Sequence, residues 1–131
     1  MDTIIQKDRE DMEIIAKSNN DYPVLMINQN RYLKGEFPNG DLYSKWRSIN
    51  KKMISEVKGE VIWSLKVEAP YLINGNLEPL DEILAFWYPS HKAFLSMINS
   101  PHRKDNFELR KKLIVYAVIH RCDGRNAPQI K

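Results

Sequence analysis

The sequence predicts an α+β fold: a four-stranded antiparallel sheet with helices on one face. Three observations predict it. An apolar stripe at helical spacing runs from Leu42 to Val57, strict alternation runs over residues 60–68, and two later runs, "ILAFWY" (83–88) and "LIVYAVIHRC" (113–122), are apolar on both strand faces. A chain of 131 residues with 43% hydrophobic and 28% charged residues suits one domain with its own core.

Residues 2–17 place Ile4, Ile5, Met12, Ile15 and Ala16 on roughly one helical stripe, and "SNNDYP" ends it, so residues 1–22 read as an N-terminal extension with a short helix. The domain proper spans 23–122, and residues 123–131 form a loose tail. "PVLMINQNRY" (23–32) is the first strand, followed by a loop with a Pro-Asn-Gly turn signal. From Asp41 the period changes: Leu42, Trp46, Ile49, Met53 and Val57 define a helix that Gly59 stops. "EVIWSLKVE" (60–68) sets Val61, Trp63, Leu65 and Val67 against Glu60, Ile62, Ser64 and Lys66, as in an edge strand.

A long connection containing Asn74-Gly75 leads to the third strand, "EILAFWYP". Ser90 caps a short helix, and Ser100-Pro101 has the form of an N-cap with proline at the first helical position of another. Residues 113–122 close as the fourth strand. The order β-α-β-β-α-β is that of a ferredoxin-like split βαβ unit, with strands one and three central. The chain has helices for one sheet face only, yet strands three and four are apolar on both. Burying even about 600 Å² of the second face favours association by roughly 15 kcal/mol, against costs of about 4–15 kcal/mol. A homodimer joined through its sheet faces is therefore expected.

Several function classes are excluded on composition. A net charge of +3 is too small to imply a polyanion partner. Strand one, "VLMINQ", carries no aromatic for stacking bases, and strand three opens with Asp81-Glu82, which repels phosphate, so nucleic acid is not expected. No apolar run approaches the roughly 20 residues that span a bilayer. The acidic start "MDTIIQKDREDMEIIAK" lacks the pattern of a secretory leader, and the single Cys122 fits a reducing compartment, so the expected location is cytoplasmic. No Gly-rich phosphate loop, nucleophile elbow or metal-ligand spacing occurs; neither a metal nor a cofactor is expected.

The stretch "YPS-x-x-A-F-x-x-M-x-x-S-P", from Tyr88 to Pro101 and followed by Arg110, resembles the family called domain of unknown function 1330, of the dimeric α+β barrel superfamily. The resemblance spans residues 23–122 by topology and 85–113 by motif. It implies a ligand cleft between helices and sheet of each subunit, and a superfamily with cofactor-independent monooxygenases of aromatic compounds, haem-degrading enzymes and lactone isomerases. Met97 and Phe107 stand where the haem-degrading branch has its catalytic tryptophan and ligating histidine, so haem degradation is not expected.

Candidate residues follow from position. Arg110, three residues past Phe107, is placed to clamp a carboxylate or phenolate, or to make a salt bridge with Glu108 or Asp105. His91 begins the helix after strand three, where it is either a pocket acid/base or a first-turn surface residue. Asn28 shares strand parity with Val24 and Met26, so its amide faces an apolar surface and needs a partner. Trp63 is its companion by analogy with the superfamily's oxygenases; Tyr32, Trp46, Tyr88 and Tyr116 could line an aromatic pocket or simply pack. His120 reads as a core-edge histidine, and His102 as solvated. The leading functional expectation is binding or conversion, by oxidation or isomerisation, of a cyclic or aromatic small molecule; the alternative is a non-catalytic dimeric module.

Overall fold

The computed structural model describes residues 3–127, with side chains described from Ile5 onward. The elements are α1 (Thr3–Lys17), β1 (Val24–Tyr32), α2 (Asp41–Glu56), β2 (Glu60–Lys66), β3 (Glu82–Tyr88), α3 (His91–Leu95, continued by a 3-10 turn over Ser96–Asn99), α4 (Arg103–Leu113) and β4 (Ile114–Asp123). The sheet order is β2-β3-β1-β4 with every pair antiparallel. Strands one and three are central, whereas β4, apolar on both faces in sequence, is an edge strand with Val115, Ala117 and Ile119 exposed.

Registers assign the faces. Val24, Met26, Asn28, Asn30 and Tyr32 of β1 share a face with Glu82, Leu84, Phe86 and Tyr88 of β3. This face packs against the helices: Met12 of α1 and Ile54 of α2 join Val24, Met26, Leu84, Phe86 and Tyr88 in one cluster, while Tyr43 and Trp46 of α2 join Tyr32 and Leu113 in another. α2 lies against α4, and α1 against α3. The inward side of α2 is Tyr43, Trp46, Met53 and Ile54, rotated slightly from the predicted stripe, with Leu42 and Ile49 half-buried at its edge. Lys58 rather than Gly59 takes the left-handed turn after α2, at φ 63°. Gly59 is required for close approach, since a Cβ there would lie 2.8 Å from both Ile54 Cγ2 and the Trp87 carbonyl.

Several expectations are corrected. A register shift between Val61 and Trp63 breaks the alternation of β2, so Val61 pairs with Phe86 on the helix face while Trp63 and Leu65 pair with Ala85 and Ile83 on the other. Ser90 caps α3 by accepting from the Ala93 amide at 3.0 Å. Ser100 and Pro101, however, stay outside α4, which starts at Arg103. His120 is exposed rather than at the core edge, and His102 is half-exposed. The N-terminal helix forms and buries Met12, but Ile5 is 57% exposed. The predicted Ile4 side-chain contact and the tail residues 128–131 lie outside the described residues.

The second sheet face carries Leu25, Ile27, Ile83, Ala85, Trp87, Trp63, Tyr116 and Val118. Leu25 and Ala85 are buried by their neighbours, and the others are half-buried. The connection 67–81 lies along one side of this face, bounding a hollow with Gln29, Tyr116 and Val118. Its own Tyr71, Leu72, Ile73 and Leu77 are exposed. The apolar surface that the strands present is thus partly transferred to a loop.

Candidate anion-binding cleft

The helix face is not fully roofed. Ala117 and Ile119 of β4 pair with Asn30 and Asn28 of β1, so they share that face, yet both are exposed. α4 borders this uncovered strip. Arg110 and Phe107 form the boundary between two adjoining hollows, one of about 300 Å³ against Ile114–Ala117 and one of about 380 Å³ against Met53 and Asn106.

Arg110 is half-buried, and among the described residues no carboxylate lies within ion-pair distance of it. The predicted alternatives, Glu108 and Asp105, do not pair with it. Burial pulls its pKa down, against the opposing influence of the Tyr32 and Tyr88 phenols. Those phenols rise from β-strand positions at opposite ends of the helix face, since Tyr88 pairs with Val24 at the start of β1 and Tyr32 ends it. Burial raises the Tyr88 pKa, with Arg110 working the other way, so this phenol stays protonated across the neutral range. Asn28 occupies the same face at mid-strand, buried, its Nδ2 donating to the Met26 carbonyl at 3.3 Å. A cation without an internal anion, beside the apolar walls of Phe107, Met53 and Ile114, has the chemistry to bind an anion by charge-assisted hydrogen bonds.

The other predicted residues are placed elsewhere. Trp63 stands on the opposite sheet face and does not meet Asn28. His91 is fully buried, neither at a pocket nor on the surface. Its Nδ1 lies 3.0 Å from both Asp21 Oδ1 and the Tyr22 carbonyl, and Arg121 Nη1 approaches its Nε2 at 3.5 Å. Arg121 is held in turn by Asp8 of α1, through Nε at 3.0 Å and Nη2 at 2.6 Å. His91 therefore helps fasten the N-terminal segment. Trp46 and Tyr32 pack together with Tyr43 beside the chain's most polar buried cluster.

That cluster centres on Glu82, which is 3% exposed. Tyr32 donates to Glu82 Oε1 at 2.6 Å and Tyr43 to Oε2 at 2.8 Å, while Arg47 Nη1 reaches Oε2 at 3.1 Å. Burial and the bond to Glu82 push the Tyr43 phenol up to about 12 and the Tyr32 phenol higher. Asn30 Oδ1 and Trp46 Nε1 are buried without a partner among the described residues. Neighbouring Asp81 accepts from the Tyr32 amide at 2.8 Å. The acidic pair that opens β3 thus serves internal bonds. Parity was the available signal, because Glu82 falls in step with Leu84, Phe86 and Tyr88 on the face that must be buried.

Among the described residues no helix is long and apolar enough to cross a membrane, and no group of three or more His, Cys, Asp and Glu side chains is placed to hold a metal ion. No protein-family model matches the sequence, and no curated protein matches it. Among solved structures the chain is similar to the RPA0582 protein of unknown function from Rhodopseudomonas palustris, with TM-score 0.71 and 21% identity over 89% of this chain and 91% of that one. The methylated form of RPA0582 gives the same TM-score and identity over 89% of each chain. The likeness shows a common fold: one four-stranded antiparallel sheet with helices, of the α+β class.

Proposed function

We propose that this protein binds a small cyclic or aromatic anion in the cleft between α4 and the sheet, as one half of a homodimer joined through the open sheet faces. This reading takes the chain as a relative of the domain of unknown function 1330 family and of the dimeric α+β barrel superfamily. The observation that carries it is Arg110, a half-buried guanidinium at the junction of two hollows with no carboxylate in ion-pair range among the described residues. Burying a cation is costly unless something pairs with it, and an incoming carboxylate or phenolate supplies that pair. Oxidation or isomerisation of the bound compound belongs to the same proposal.

The non-catalytic reading has a specific observation in its favour. His91, the one histidine at a strand-to-helix junction, is sealed under the N-terminal segment and cannot act as an acid or base in the cleft.

Replacing Arg110 by methionine tests the binding reading. Arg110→Met is expected to keep or raise the melting temperature, because it removes a desolvated charge and keeps the stem. Affinity for benzoate and 4-hydroxybenzoate, measured by calorimetry, should fall by about tenfold or more. A variant that unfolds, or one that binds these probes as the native chain does, refutes the proposal.

A further inference from the structure

Four cationic side chains line the two hollows on either side of Phe107: Arg103 and Lys104 in one, Lys111 in the other, and Arg110 in both. No carboxylate lines either hollow, and among the described residues none of the four is in an ion pair. Two surface lysines of other helices are paired, Lys7 with Asp11 and Lys45 with Asp41. The asymmetry within α4 itself is sharp. Its Asp105 and Glu108 border a separate groove with Lys45 and Leu109, leaving the cleft side uniformly basic.

The spacing has chemical content. Arg103, Phe107 and Arg110 follow i, i+4, i+7, and Lys104 and Lys111 follow i, i+7 beside them, so the five share one side of the helix. Seven residues correspond to about 10 Å along the axis. Arg110 at one end, with Lys111 next to it, and Arg103 and Lys104 at the other are thus separated along the helix by roughly the width of a ring with its substituents. Between them stands Phe107, 59% exposed, with Lys111 Nζ 5.2 Å from its ring centroid. An exposed aromatic ring flanked by cations contributes an apolar contact surface in the middle and anion contacts at both ends.

We infer that the ligand of this cleft carries two anionic groups joined by an apolar or aromatic spacer. Resting on the anion-binding reading above, the assignment gives the first group, a carboxylate, to Arg110. The second group, a carboxylate or a phosphate, meets Arg103 and Lys104 at the far end, and the spacer lies on Phe107. The half-buried contact anchors the ligand; the exposed cations select for the second charge and are weakened by salt.

Four probes test this on the full-length protein: benzoate, terephthalate, its uncharged-end analogue terephthalamate, and 4-carboxyphenyl phosphate. Terephthalate is expected to bind about fivefold or more tightly than terephthalamate at low salt. The Arg103→Ala/Lys104→Ala double variant, altered at exposed positions only, should erase that ratio, with terephthalate affinity falling several-fold more than benzoate affinity. Tighter binding of the phosphate ester than of terephthalate, lost in the same variant, supports the inference with phosphate as the second group. A terephthalate-to-terephthalamate ratio near one, or a ratio that survives the double variant, overturns it. If benzoate and terephthalamate still bind through Arg110 in that case, the single-anion reading stands alone; if no probe binds, both readings fall.

Discussion

Glu82 and Asp21 show how single carboxylates are tied into this chain. Glu82 accepts from two phenols and a guanidinium inside the fold. Glu82→Gln keeps the shape but replaces charge-assisted bonds by neutral ones, one of them mismatched against a donor. The expected loss is about 2–3 kcal/mol, read from urea unfolding. The Tyr43 phenol, held at about 12 against an ordinary 10.0, should then titrate lower in an ultraviolet pH titration. The raised value also has a sign for the native fold. Stability contributed by the neutral phenol is complete below the unfolded value and is lost as pH rises from about 10 towards 12. Asp21 works at the other end of the scale. Burial opposes its charge, but the His91 and Lys92 amides and the His91 ring hold its pKa below the usual carboxylate value. Its contribution is therefore present above the unfolded value near 4 and lost as pH falls below it. Asp21→Asn should destabilise the chain by about 1–2 kcal/mol at neutral pH and flatten the acid limb of the stability curve. An unchanged acid limb would assign that limb to other carboxylates.

At the scale of elements, α1 and α4 differ in what holds them. α1 reaches the domain through Met12 in the core and through the Asp8–Arg121 pair, which is partly exposed. A pair of that exposure contributes on the order of 1 kcal/mol or less, so packing dominates. Met12→Ala should cost about 2–5 kcal/mol, whereas Asp8→Ala should cost far less. Hydrogen exchange checks the order: α1 amides should lose protection first in Met12→Ala. Equal losses in the two variants would shift the weight to the ion pair. In α4, Leu113 is buried while Phe107 is exposed and the cleft side is basic. The helix is anchored by Leu113, Leu109 and Asn106, the last bonded to Asn50, while Phe107 and its cations face outward. β2 shows a third behaviour. Its bulge turns Trp63 and Leu65 away from the helices, enlarging the apolar area of the open face.

For the whole molecule, the question is what finishes that open face. Side-chain packing and the 67–81 connection shelter part of it, and Leu65 on the face and Tyr71, Leu72, Ile73 and Leu77 in the connection remain exposed. In the dimer proposed above, the face and connection of one chain meet those of its twin. Sedimentation at micromolar concentration is expected to give twice the 15.4 kDa chain mass. Leu65→Glu alters a side chain that is 45% exposed in the single chain, so it should leave the fold intact and weaken association by at least tenfold. A native chain that sediments as a monomer rules out the sheet-face dimer without touching the cleft around Arg110.

Periodicity by itself determined the class of the fold and the order of its strands and helices, because burial imposes a period of two on strands and 3.6 on helices. It also singled out Asn28, a polar residue in step with the apolar Val24 and Met26. What only the tertiary structure decided are the contacts between distant segments. The bulge that moves Trp63, the seal of Asp21 and Arg121 over His91, and the phenols around Glu82 all join residues far apart in the chain. A one-dimensional pattern reports which side of an element is buried; it carries no record of which partner waits there, since that depends on how the elements cross.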